Sequence, residues 1–165
     1  MLAAGKLSVE NGAHIVTQQF LDSFLILSGS GITFGLVVAM LFAAKSKQYK
    51  ALGKVAAFPA IFNVNEPVVF GFPIVMNPVM FLPFILVPIL AAIIVYASIA
   101  IGFMHPFSGV TLPWSTPAII SGFMVGGWQG AVVQVLVLVT STVVYFPFFK
   151  FQDNLAYNNE LQAEK

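Results

Sequence analysis

The 165-residue sequence contains no cysteine, no arginine and very little charge of either sign. The absence of cysteine excludes disulfide frameworks, thiol nucleophiles and thiolate metal sites. Charged residues make up 8% of the chain, against about 25% in an average soluble domain. Between Lys54 and Lys150 the one formal charge is Glu66. A soluble fold of this size is excluded because it would lack polar surface, and intrinsic disorder is excluded because 59% of the residues are apolar.

Few features suggest a nucleic-acid or metal partner. The net charge is +1, and nucleic-acid binding needs a basic stripe that this chain lacks. The two histidines, His14 and His105, lie far apart in sequence, so we expect neither a metal centre nor a cofactor. The remaining class is a protein embedded in lipid. The sequence therefore predicts an all-α integral membrane protein in contact with membrane lipid.

Three apolar stretches reach the roughly 20 residues that a membrane-spanning helix needs. They cover residues 24–44, 81–103 and 119–149. The third is longer than one crossing requires, so its glycine-rich start is expected to belong to a different element.

Two further stretches are apolar but interrupted by proline, which a continuous helix does not tolerate. They cover residues 55–78 and 102–117. Irregular backbone at membrane depth survives where it is buried in protein or lines a wet cavity. The sequence thus predicts about three transmembrane helices plus two proline-broken, re-entrant hairpin segments.

The chain divides into a polar amino-terminal segment (1–22), a transmembrane part (23–150) and a tail (151–165). Orientation follows from the lysines, because cytoplasmic loops carry an excess of positive charge. Lysines cluster directly after the first predicted span, and Lys150 follows the last one. We therefore predict that residues 45–54 and the tail are both cytoplasmic.

Glu66 is the strongest functional candidate. An ionisable residue within the membrane costs at least about 2.5–3.5 kcal/mol and indicates a functional site by default. It lies between Asn65 and Pro67, and the missing N–H of the proline leaves polar groups free to face a cavity. A carboxylate accepts hydrogen bonds while an amide both donates and accepts, which suits sugar hydroxyls. The alternative is a neutral Glu66 that is hydrogen-bonded to the broken backbone.

Three weaker candidates lie elsewhere in the chain. His105 either binds substrate or lies at a wet interface. Trp114 lies in a proline-flanked loop, where an indole either stacks on a sugar ring or anchors the chain at lipid headgroups. Gly31 and Gly35 form a Gly-x-x-x-Gly pair, which is typical of a close helix contact.

The stretch from residue 61 to 78, with its Asn-Glu-Pro motif, closely resembles the hallmark of the lactose/cellobiose/chitobiose group of phosphotransferase-system sugar permeases, enzyme IIC. The resemblance extends to residues 29–36, 45–48, 113–117 and 145–150. It implies the carboxy-terminal, sugar-binding half of a two-part permease of the bacterial cytoplasmic membrane. The amino-terminal half of such a permease would form a homodimer.

The resemblance also implies roles for particular residues. The glutamate matching Glu66 contacts the sugar, and the tryptophan matching Trp114 lines the site. A further hypothesis, independent of the resemblance, is that Glu66 accepts the proton of the hydroxyl that is phosphorylated. Further candidate sugar ligands are Asn63, Asn65, Asn77 and His105. The implied phosphoryl donor is a separate cytoplasmic enzyme IIB with a phosphocysteine, a residue this chain lacks. The family also uses an upstream histidine, and His14 lies too close to the motif to match it.

The leading hypothesis is a permease component that binds and translocates a disaccharide such as cellobiose, chitobiose or lactose. One alternative is an ion-coupled secondary transporter in which Glu66 carries a proton through broken helices. Another is a truncated remnant that does not transport.

Overall fold

A computed structural model describes residues 20–72, 74, 76–105 and 112–163 of the chain. Every regular element in these residues is helical. A π-helical turn at Leu21–Leu25 comes first, and five α-helices follow: α1 (Phe34–Ala43), α2 (Lys47–Ile61), α3 (Glu66–Gly71), α4 (Pro78–Ala100) and α5 (Ile120–Ala163). Helix α5 is central, because α1, α4 and the π-helical turn all pack on it. His14 and most of the predicted amino-terminal segment lie outside the described residues.

Two of the described helices are long and apolar enough to cross a membrane, α4 and α5. They overlap two of the three predicted spans, those at 81–103 and 119–149, and the number of spans stays a prediction. Helix α4 begins at a proline, and the side chain of Asn77 caps it by accepting the N–H of Val79 at 3.1 Å.

The prediction of one continuous helix over residues 24–44 is wrong. The backbone leaves the helical path at residues 26–33, here named the unwound segment, and resumes as the ten-residue α1. Ten helical residues measure about 15 Å, half the thickness of the hydrocarbon core. The helix breaks because four residues adopt positive φ: Ser28, Gly29, Gly31 and Ile32.

The glycine-rich start of α5 folds back on the rest of the helix, which confirms that it is a different element. Gly126 and Gly127 have non-helical backbone angles. The N–H of Gly122 reaches the side chain of Gln134 at 2.9 Å, whereas 12 residues of straight helix span about 18 Å. The close approach requires glycine, because a methyl group at Gly130 would overlap the carbonyl of Gly122.

The predicted interruption of the stretch 55–78 is confirmed. Helix α2 ends at Ile61, non-helical residues follow at 62–65, and the short α3 packs against α2. Pro59 lies in the last turn of α2, where its missing N–H removes one helical hydrogen bond, and the helix ends two residues later. In the second stretch, residues 106–111 lie outside the described residues, and 112–119 are non-helical. Whether either stretch is a re-entrant hairpin stays a prediction.

The polar end of α5 packs against the link between α1 and α2. Asp153 accepts the backbone N–H groups of Lys45 and Ser46 at 2.8 and 3.0 Å. Glu160 accepts the Ser46 hydroxyl at 2.6 Å and the Lys47 N–H at 3.0 Å. We name this arrangement the carboxylate clasp. It satisfies N–H groups that the first turn of α2 leaves free.

The clasp places the lysine-rich loop and the carboxyl-terminal end of α5 at the same end of the molecule. Their common side agrees with the lysine pattern, and the assignment of that side as cytoplasmic stays a prediction. At this polar end, the hydrogen bond from the Ser46 hydroxyl, with the N–H of Lys47, holds the pKa of Glu160 below its usual value.

Candidate functional site

The unwound segment is held by polar side chains of α5. In lipid, backbone N–H and C=O groups need partners inside the protein. The Ser141 hydroxyl donates to the carbonyl of Ile32 at 2.6 Å and accepts the N–H of Gly35 at 3.2 Å. The Tyr145 hydroxyl donates to the carbonyl of Gly31 at 2.8 Å. Both side chains are fully buried.

Gln134 joins the π-helical turn to the start of α5. Its side chain is fully buried. The amide nitrogen donates to the carbonyl of Ser23 at 2.6 Å and to the Ser121 hydroxyl at 2.8 Å. The amide oxygen accepts the N–H groups of Ile119 and Gly122. The two donors of the amide and both lone pairs of its oxygen are therefore used.

Sequence reasoning missed Gln134, Ser141 and Tyr145 as site-forming residues. A signal was present, because these are polar side chains in the mainly apolar part of α5, spaced by seven and four residues. Such spacing places them on one face. That face packs against the π-helical turn through Gln134 and against the unwound segment through Ser141 and Tyr145.

The amide of Asn63 connects the unwound segment to the loop that carries Trp114. Its oxygen accepts the N–H of Ser28 at 2.7 Å. Its nitrogen donates to the carbonyls of Trp114 at 2.7 Å and Thr116 at 3.0 Å. Asn63 has a φ of 62°, a conformation that asparagine adopts more readily than most residues. Both amide donors are thus used by backbone carbonyls.

Asn65 also holds the unwound segment. Its amide nitrogen donates to the carbonyl of Ser30 at 2.7 Å. Its side chain packs directly on Gly29, where an added methyl group would overlap it. In the same segment, the buried hydroxyl of Ser28 has no hydrogen-bond partner among the described residues.

Glu66 and Trp114 differ from the asparagines because both residues are exposed rather than buried. Glu66 is the first residue of α3 and is exposed. Within the part of the chain that is described, its carboxylate makes no hydrogen bond to the broken backbone, so the structural-acid alternative has no support there. The side chain of Trp114 is 62% exposed, although its carbonyl is held by Asn63.

The two other candidates lie apart from this network. Asn77 caps α4, and His105 is exposed beside residues that are not described. No hydrogen bond between described residues links either one to Asn63 or Asn65. Sugar binding by any of the six candidates stays a prediction.

Backbone strain is concentrated in the same network. Four non-glycine residues have positive φ among those described: Ser28, Ile32, Asn63 and Ile119. Each donates or accepts one of the hydrogen bonds above. Sparsely populated backbone conformations cost of order 1–3 kcal/mol each and cluster at functional sites. The strained residues therefore lie where the unwound segment, the Asn-Glu-Pro motif and the loop that carries Trp114 meet.

Unwound backbone that is held by buried polar side chains beside membrane-length helices is typical of membrane transport proteins. Comparison with known proteins gives the particular family. The family model for "Phosphotransferase system, EIIC" matches residues 1–88. The chain belongs to this family, whose members are integral proteins of the bacterial cell membrane.

Individual relatives are similar over most of the chain. It is 45% identical over 152 residues to the lichenan permease IIC component of Bacillus subtilis (strain 168), covering 91% of this chain and 34% of the relative. It is 44% identical over 142 residues to the cellobiose-specific EIIC component of Geobacillus stearothermophilus, covering 85% and 32%.

A solved structure shows the same fold. The crystal structure of ChbC, the IIC component from the N,N'-diacetylchitobiose-specific phosphotransferase system, matches with a TM-score of 0.85 and 40% identity, over 88% of this chain and 34% of that one. The chain thus spans about a third of the length of the relatives it matches.

Proposed function

We propose that this chain is the sugar-binding part of a phosphotransferase-system permease for a disaccharide of the cellobiose, chitobiose or lactose type. The observation that carries the proposal is the exposed carboxylate of Glu66 beside a strained, hydrogen-bonded region, in a chain of the EIIC family. The names of the relatives, which specify cellobiose and N,N'-diacetylchitobiose, support the substrate class.

In this proposal Glu66 and Trp114 contact the sugar. The carboxylate accepts hydrogen bonds from hydroxyl groups, and the exposed indole packs on the C–H face of a pyranose ring. The amides of Asn63 and Asn65 already bind backbone carbonyls, which favours a supporting role for both. Asn77 and His105, which no hydrogen bond among the described residues joins to these asparagines, would make secondary contacts.

The phosphoryl group comes from a separate subunit. A cytoplasmic enzyme IIB would hold it as a phosphocysteine, and the sugar hydroxyl would take it as the cysteine thiolate leaves. The proton of that hydroxyl would pass to the carboxylate of Glu66. The remainder of the permease, outside this chain, would form a homodimer. Exposed apolar side chains of α4, such as Phe81, Ile85 and Ile89, would contact lipid.

Glu66→Gln tests the proposal, because it keeps the shape of the side chain and removes its charge. Hydrogen bonds to charged groups contribute about 1.5–3 kcal/mol, so disaccharide affinity should fall roughly ten- to 150-fold. Affinity is measured by calorimetry on the purified chain with cellobiose and N,N'-diacetylchitobiose, beside phosphoenolpyruvate-dependent uptake in cells. Glu160→Gln, the same change at the far end of α5, should leave affinity unchanged.

Three outcomes contradict the proposal. Native affinity and native uptake in Glu66→Gln would remove Glu66 from the site. Uptake that survives loss of the phosphoryl chain but collapses with an uncoupler would indicate the ion-coupled transporter. No disaccharide binding by the unaltered chain would indicate a remnant that does not transport.

A further inference from the structure

The loop that carries Trp114 is attached at two points by buried amides. Asn63 donates to the carbonyls of Trp114 and Thr116. Gln134 accepts the N–H of Ile119, where the loop enters α5. Residues 112–119, here named the Trp114 loop, contain no helix. The loop has one hydrogen bond between its own backbone groups, from Thr116 N–H to the carbonyl of Pro113. Two further backbone bonds, from the N–H groups of Ser121 and Phe123 to the carbonyls of Pro117 and Ile119, join the end of the loop to α5. The part of the loop around Trp114 therefore depends on side chains from elsewhere in the chain.

Each amide connects the Trp114 loop to a second part of the site. Asn63 accepts the N–H of Ser28 and so joins the loop to the unwound segment. It precedes Glu66 by three residues. Gln134 donates to the carbonyl of Ser23 and so joins the loop to the π-helical turn. Because both amides are buried and have their donors occupied, neither is free to adapt without breaking a buried hydrogen bond.

We infer that Asn63 and Gln134 are positioning residues that set where the Trp114 loop lies relative to Glu66. This inference rests on the proposed function, because the position of the loop affects sugar binding only if Trp114 contacts the sugar. In this inference Asn63 does not contact the sugar directly. Its amide holds the loop that carries Trp114, and the indole of Trp114 and the carboxylate of Glu66 contact the sugar.

The residue type at position 63 fits this role. The site needs a positive φ, one acceptor for the Ser28 N–H and two donors for the loop carbonyls. Asparagine supplies all three, because its short amide tolerates the left-handed region and carries both an oxygen and an NH₂ group. Aspartate keeps the first two properties and loses the donors. Glycine keeps only the backbone conformation.

Asn63→Asp is therefore the informative variant. Its carboxylate still accepts the Ser28 N–H, but its second oxygen faces two carbonyls with no proton to share. The Trp114 loop should detach while the unwound segment keeps its contact. Asn63→Gly is measured beside it, since it removes the amide without introducing a charge. Gln134→Met, of similar length, releases the other end of the loop.

The readout is the fluorescence of Trp114 itself. The chain has two tryptophans, so a Trp128→Phe background leaves Trp114 alone, and phenylalanine keeps a ring against Phe103, which Trp128 contacts edge-on. We expect lower anisotropy of Trp114 without sugar in all three variants. The anisotropy of Trp128, recorded in a Trp114→Phe background, should not change. Disaccharide affinity should fall roughly tenfold or more.

Matched controls make the same chemical changes at exposed positions of α5. Asn154→Asp and Gln162→Met should leave the anisotropy of both tryptophans unchanged. Weaker sugar binding with unchanged Trp114 anisotropy would show that Asn63 contacts the sugar directly and would overturn the inference. An equal loss of anisotropy at both tryptophans would also overturn it, because it would indicate a general loss of the fold.

The same measurements separate this inference from the proposed function. Lower Trp114 anisotropy with native sugar affinity would support the positioning of the loop and would refute the contact of Trp114 with the sugar. Absence of sugar binding by the unaltered chain would refute the proposed function, while the sugar-free anisotropy would still decide whether the amides hold the loop.

Discussion

The packing of α1 on α5 should depend on Gly35 having no side chain. A methyl group at this position would lie closer than 3.0 Å to the backbone carbon of Ser141 and the backbone nitrogen of Thr142. Ordinary carbon contacts begin at 3.4 Å, and a helix backbone cannot turn away as a side chain can. Gly35→Ala must therefore push α1 off α5.

The expected cost is the sum of three effects. Overpacking costs about 1–3 kcal/mol. Separation of the helices also lengthens the hydrogen bond from the Gly35 N–H to Ser141, at about 1–1.5 kcal/mol. The higher helix propensity of alanine returns about 0.5–1 kcal/mol. These effects sum to a net loss of about 1–4 kcal/mol, which corresponds to a Tm decrease of roughly 2–16 °C.

Gly71→Ala is the matched control. Gly71 also lies in a helix, but its added methyl group would meet only the side chain of Leu52, whose end can rotate away. Thermal unfolding of the detergent-solubilised chain, followed by fluorescence, compares the two variants. A Tm decrease for Gly35→Ala no larger than that for Gly71→Ala would refute the argument that α1 and α5 meet backbone to backbone.

Three further predictions concern the site, the clasp and the topology. Trp114→Ala should weaken disaccharide binding far more than Trp128→Ala, because only the indole of Trp114 is assigned to the sugar. Titration calorimetry compares the two variants, and equal effects would favour a membrane-anchor role for both. Because the folded pKa of Glu160 lies below its usual value of 4.5, the stability that the clasp supplies should be present above that pH and lost as pH falls through the folded pKa. Glu160→Gln should reduce the dependence of Tm on pH. Identical curves of Tm against pH for the variant and the unaltered chain would contradict this prediction. Single cysteines at Gln48 and Asn159, both exposed, should resist an impermeant thiol reagent in intact cells and react after permeabilisation; labelling of intact cells would reverse the orientation.

Hydropathy predicted α4 and the main part of α5 because their apolar runs are also continuous helices. It failed over residues 24–44 because an apolar count does not report backbone conformation. The partners that stabilise the unwound segment, Asn63, Ser141 and Tyr145, are 35 to 114 residues away in sequence. No local pattern contains them, although the Gly-Ser-Gly sequence at residues 29–31 marks where the helix breaks.

The polar candidates show a second limit of sequence reasoning. The side-chain chemistry next to Glu66 indicated Asn63 and Asn65 as sugar ligands, since an amide both donates and accepts hydrogen bonds. The same donors and acceptors suit backbone carbonyls and N–H groups, and only the three-dimensional structure shows that both amides bind the backbone. Glu66 remains a candidate sugar ligand because it is exposed.

The unwound segment is energetically costly, and backbone of this kind clusters at functional sites. A straight helix over residues 24–44 would satisfy its own backbone groups and need no partners from elsewhere. This chain instead strains four non-glycine residues and uses the buried polar side chains of Asn63, Asn65, Gln134, Ser141 and Tyr145 to hold the break and its surroundings. Such strain persists only where the surrounding structure over-determines it. Because Asn63 and Asn65 bind the unwound segment and closely precede Glu66 in the chain, the irregular backbone lies next to the motif that carries Glu66.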